Sequence, residues 1–77
     1  MRYTVLLLPD SETGVFVAYV PALGVTTQGT SVEDALAMAK EASELVIEDM
    51  AERGEDVPLE ESGAVVSSID IELPVLA

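Results

Sequence analysis

Four glutamates, Glu41, Glu44, Glu48 and Glu52, recur at spacings of three and four in KEASELVIEDMAER, residues 40–53. On a helix that spacing puts all four carboxylates on one face. Like charges so placed repel, and three successive pairs cost on the order of 1 kcal/mol of helix stability. Asp49/Arg53 and Lys40/Glu44 are the opposite-charge pairs available to offset it. The row therefore has two readings. It is a solvated face that serves solubility, or it is an acidic docking surface for a basic partner.

Other chemistry finds less support. The stretch PALGVTTQGTSVEDAL, residues 21–36, is rich in Gly and hydroxyl groups. It lacks the spacing and the Lys of a phosphate-binding loop. It also leads into Glu33 and Asp34, which repel an anion, so it reads as the corner between a strand and a helix. The chain has no His and no Cys, which removes the usual nucleophile–base pairs and Cys/His metal sites. Asp10 with Glu12, or Glu60 with Glu61, offers weak carboxylate ligation without the spaced ligand set of a calcium loop. The expectation is a non-catalytic chain with no cofactor and no specific metal site.

The composition narrows the partners. Fifteen acids face three cations, Arg2, Lys40 and Arg53, for a net charge of −12. Nucleic-acid binding needs clustered Lys and Arg to displace phosphate counterions, so direct binding is not expected. The hydrophobic fraction of 49% is too high for a disordered chain. No apolar run reaches the ~20 residues of a membrane span, and no signal-peptide pattern opens the chain. A single domain over residues 1–77, soluble and cytoplasmic, is expected. The absence of Asn and the single Gln point toward a thermophilic source. A chain this short buries a thin core, and without disulfides or metal it gains stability most readily by oligomerising.

These residues must be positioned by a few elements. Arg2–Leu8 and Gly14–Val20 read as strands joined by the turn cluster PDSETG, and Val25–Gln28 as a short third strand. A helix starts after Thr30 or Ser31, each followed three residues later by an acid as in a capping box. It runs to about Arg53, where Gly54 stops it. Val65–Leu73 alternates at its end, with Ile69, Ile71 and Leu73 on one side and Ser68, Asp70 and Glu72 on the other. That alternation predicts a half-buried fourth strand closed by Pro74. The order is βββαβ, an α+β fold with an antiparallel sheet and one long helix packed on a face. The apolar arc of the helix, Val32, Leu36, Ala39, Ser43, Val46, Ile47 and Met50 extended by Ala35, Met38, Ala42 and Leu45, spans roughly 200°, more than one sheet need cover. Either a second subunit buries the excess, or its Ala residues simply favour helix.

The run Pro21-Ala-Leu, Gly24, Gln28-Gly29-Thr30-Ser31 and Glu33-Asp34-Ala35-Leu36 resembles the HicB-like antitoxin family. That family has a hairpin, a Pro-x-Leu-Pro-Gly corner, a Gly-Asp-Thr helix cap, Glu-Glu-Ala and a helix with acids on one side. Here the second Pro of the corner is missing, and Val25 stands where the family usually has Cys. No DNA-binding segment follows the expected fourth strand, so promoter binding is not carried over. The resemblance implies a βββαβ, partly RNase H-like fold without catalysis. It also implies a partner, a small basic HicA-like ribonuclease toxin whose site the chain would mask. Glu41, Glu44, Glu48 and Glu52 are the candidate partner-binding residues, chosen on charge. The alternative is an orphan homo-oligomeric scaffold, a dimer or tetramer, or a small-ligand-binding domain with no toxin.

Overall fold

The computed structural model describes residues 1–62 and 64–75. Three strands, β1 (Leu6–Pro9), β2 (Phe16–Val20) and β3 (Val25–Gly29), precede one helix, α1 (Val32–Glu52). The strands form an antiparallel sheet in the order β1-β2-β3. This is the α+β arrangement expected, with one long helix on one face of the sheet.

Local chemistry sets each boundary. Asp10 closes the first turn: its amide donates to the Val15 carbonyl at 2.9 Å, its carbonyl accepts from the Gly14 amide at 2.8 Å, and its side chain accepts from the Glu12 amide at 3.0 Å. Register shortens β1 relative to Arg2–Leu8. Leu6 pairs with Tyr19, so residues before Val5 run past Pro21, where β2 has already ended. The Pro21–Gly24 corner is a hairpin turn closed by Leu23 and Gly24 amides on the Val20 and Pro21 carbonyls. Gly24 adopts φ 65°, a conformation side chains resist.

Ser31 is the N-cap of α1. Its hydroxyl accepts from the Asp34 amide at 3.0 Å. Asp34 returns its carboxylate to the amide and hydroxyl of Thr30, at 2.8 and 3.2 Å. Of the two cap pairings the sequence allows, Ser31/Asp34 is the one formed, with the return bond shifted one residue outward. At the other end, Gly54 (φ 72°) and Glu55 donate to the Ala51 and Met50 carbonyls, a Schellman stop.

The core is thin, and its side chains are small. Ala18 and Val20 of β2, Val25 of β3, and Ala35 and Ala39 of α1 are buried, with Ser43 beside them. Tyr3, Val5, Leu7, Phe16, Leu23, Ala42 and Val46 pack around this cluster. Gly29 lets the helix approach: a Cβ there would overlap the backbone of Asp34 and Ala35, lying 2.6 Å from the Ala35 Cα. The sheet covers only part of the apolar arc. Val32, Leu36 and Leu45 stay 43%, 42% and 60% exposed, so good helix-forming Ala does not account for the excess.

One expected element is absent. Val65–Leu73 forms no strand, and the βββαβ order is corrected to βββα among the described residues. A strand needs a neighbour for its backbone groups and a layer for its apolar side. Here the chain reaches the start of β1 and is held by side chains instead. The Glu60 carboxylate accepts from the Thr4 amide at 2.7 Å and the Thr4 hydroxyl at 2.8 Å. The Tyr3 hydroxyl donates to the Pro58 carbonyl at 2.8 Å. Beyond that clasp the segment departs from the sheet, and Val65, Val66, Ile69, Ile71, Leu73 and Val75 are 71–97% exposed.

Gly29→Ala should therefore cost about 1–3 kcal/mol, because overlap with helix backbone cannot relax through a side chain. Gly54→Ala meets open space and should cost only about 1 kcal/mol through its positive φ. Urea unfolding followed by circular dichroism measures both, and equal costs would contradict a close-approach role for Gly29.

Candidate functional site

All four predicted partner-binding residues are exposed. At 100° per residue, Glu41, Glu44, Glu48 and Glu52 fall within an arc of about 80° on α1, facing away from the sheet. The helix holds them rigidly, capped at both ends by the bonds already described. Little neutralises them. Among the described residues the ion pairs found are those of Arg53, to Asp49 at 2.9 Å and to Glu55 at 3.4 Å. The Lys40/Glu44 offset expected from spacing is not made as an ion pair.

The structure adds an apolar member to this row. Leu45 follows Glu41 by four residues and precedes Glu48 by three, and it is 60% exposed. Its apolar type assigned it to the buried arc. Its wheel position lies at the edge of that arc, next to Glu52, and the sheet does not reach it. An exposed Leu set among carboxylates gives a docking surface an apolar anchor as well as charge.

Beside the row lies a groove of about 610 Å³ between α1 and residues 1–5. Val5, Val20, Leu36 and Ile47 supply apolar wall, and Arg2, Lys40, Glu44 and Glu48 supply charge of both signs. Two of the three cations of the chain thus meet here, although 38 residues separate them in sequence. Composition carried no signal for this, because only the fold brings residue 2 beside residue 40. The groove exists because α1 packs chiefly over β3 and β2, leaving the helix-facing side of residues 3–7 partly open.

The weaker candidates are committed elsewhere. Glu60 is engaged with Thr4, and Asp10 with its own turn. Among the described residues no three His, Cys, Asp or Glu side chains gather as metal ligands. No helix among them is long and apolar enough to cross a membrane.

These features define a small α+β domain whose distinctive surface is an exposed acidic helix flanked by an apolar groove. The chain is 42% identical over 59 residues to UPF0150 protein Ta0767 of Thermoplasma acidophilum, an overlap that covers 75% of this chain and 84% of that protein. The chain belongs to the UPF0150 family. No family model and no solved structure matches it.

The acidic row has a cost that can be read without any partner. Replacing Glu41, Glu44, Glu48 and Glu52 together with Gln should stabilise the free chain by on the order of 1 kcal/mol at low salt. The gain should shrink in high salt as screening removes the repulsion. Chemical denaturation at two ionic strengths reads the effect, and a destabilised variant would mean that the carboxylates hold the fold together.

Proposed function

We propose that the chain is a non-catalytic, HicB-like antitoxin-type module that binds a small basic ribonuclease toxin and masks its site. The observation that carries the reading is the exposed row Glu41, Glu44, Glu48 and Glu52 on one rigid helix, with no cation paired to it among the described residues. A basic protein meeting this face gains charge complementarity, which speeds encounter and orients docking. Leu45 supplies the apolar contact that charge alone does not. The UPF0150 family is HicB-like in general terms, and this accords with the resemblance carried by the Pro21–Leu36 run. In this reading the protein works in the cytoplasm, where a ribonuclease toxin would find its RNA.

A second reading is an orphan homo-oligomeric domain without a toxin. The exposed apolar residues of the 64–75 segment favour it, since a second copy is one way to cover them.

The test is affinity capture with the tagged chain from its native cell extract, eluted with rising salt. A small basic protein should elute, cleave RNA alone and lose that activity when the chain is added back. The four-Gln variant should bind it more weakly, with a flatter salt dependence. Recovery of the chain alone would discard the toxin reading in favour of the orphan oligomer. Capture unaffected by the four substitutions would remove the row from the interface.

A further inference from the structure

We propose that Val65–Leu73 is a strand in trans: in a dimer it adds to the free β1 edge of a second copy, and the second copy returns the same segment. Three independent features of one chain fit together in this way.

The first is the segment itself. Ile69, Ile71 and Leu73 alternate with Ser68, Asp70 and Glu72, the pattern of a strand with one buried face. Yet no strand forms, and Ile69, Ile71 and Leu73 are all at least 71% exposed. Isolated alternation of this kind has no reason to stay in water, because covering each such side chain is favourable. The segment also projects. The radius of gyration is 15.9 Å, whereas a compact domain of this length has about 11–12 Å. The long dimension, 57 Å, is about twice the next, 28 Å.

The second feature is the acceptor. Among the described residues β1 ends the sheet and pairs only with β2. Its outer side presents unpaired backbone groups over Leu6–Leu8, which is a template for another strand. The groove beside it opens under Leu36 and Ile47 of α1. A strand laid on the β1 edge would turn alternate side chains toward the helix layer, and Ile69, Ile71 and Leu73 match that apolar wall.

The third feature is charge. With a net charge of −12, two copies repel over most of their surface. Arg2 and Lys40 both line this groove and offset Glu44 and Glu48, which line it too, so an acidic strand docks there against balanced rather than net negative charge. The segment 64–75 itself brings only Asp70 and Glu72.

The chain's own segment is held away from its own edge. The Thr4 amide, just ahead of β1, is occupied by Glu60. From that clasp the segment leads outward, past Thr4, Leu6, Pro21 and Ala22, instead of along Leu6–Pro9. Reciprocal exchange supplies two new strand pairings and fills two grooves, so the contact is made twice in each dimer. The exchange stands whether or not a toxin partner exists, because it rests on the segment, the β1 edge and the groove, whose rim Glu44 and Glu48 share with the acidic row.

The test combines sedimentation equilibrium with hydrogen exchange on the full chain. A dimer is expected, and protection of the amides of residues 65–73 should rise with protein concentration in step with the dimer fraction. Ile69→Asp with Ile71→Asp, and separately Ser68→Pro, should each raise the dimer dissociation constant about tenfold or more. Both variants should keep the helical circular dichroism, since the altered residues are exposed in the single chain. A monomer at all concentrations up to about 1 mM overturns the proposal. So does protection independent of concentration, which would place the strand in cis. A dimer that survives both variants overturns it too, by showing assembly through another face.

Discussion

Helix α1 can lie on the sheet only because the residues between them are small. Ala18 meets Ala35 and Ala39, Ser43 continues the row, and Gly29 leaves room for helix backbone where a Cβ would collide. This close approach sets everything above it. It fixes the height and direction of a 21-residue helix, and with them the plane in which the four glutamates are displayed. It also limits what the core can contribute. Small side chains bury little area, so the hydrophobic drive per residue is low. Stability then leans on caps, turns and whatever covers the remaining apolar surface.

That remaining surface is unevenly distributed. The helix covers β2 and β3 more than β1, and the apolar residues left over include Leu36 on the groove side, Leu45 on the acidic side, and the segment beyond Glu60. Two kinds of partner suit these places. A second copy would bring an apolar strand and little charge to the groove. A basic protein would bring charge to the outer face of α1. The two faces are separate enough for one chain to use both, with Glu44 and Glu48 on the ridge between them.

The clasp between Thr4 and Glu60 links these uses to the fold. A carboxylate that accepts both from a backbone amide and from a hydroxyl ties residues 56 positions apart. It anchors the chain after α1 at the start of β1 and determines the direction in which the following residues leave. Charge-assisted bonds of this kind are stronger than neutral ones, which suits a point where the chain must be held without a strand ladder.

Most of the fold was legible in the sequence because its signals are local. Pro21 and Gly24 mark a turn, Ser31 with Asp34 marks a helix start, and Gly54 marks its end; each acts through bonds to residues within five positions. The acidic row was legible for the same reason, since helical periodicity alone decides which carboxylates share a face. Other features depended on distant residues. The alternation of Val65–Leu73 stated a preference for a strand, but a preference becomes structure only where a free edge is reachable, and the Thr4–Glu60 clasp directs the segment elsewhere. Leu45 was assigned inward by its type and left outward by the width of the sheet. The meeting of Arg2 with Lys40 at one groove had no sequence signal at all. By itself the sequence determined the first three strands, the helix with its caps and the acidic face of α1, because those follow from neighbours along the chain. Only the tertiary structure decided which apolar residues found cover, because burial depends on how far one sheet can reach.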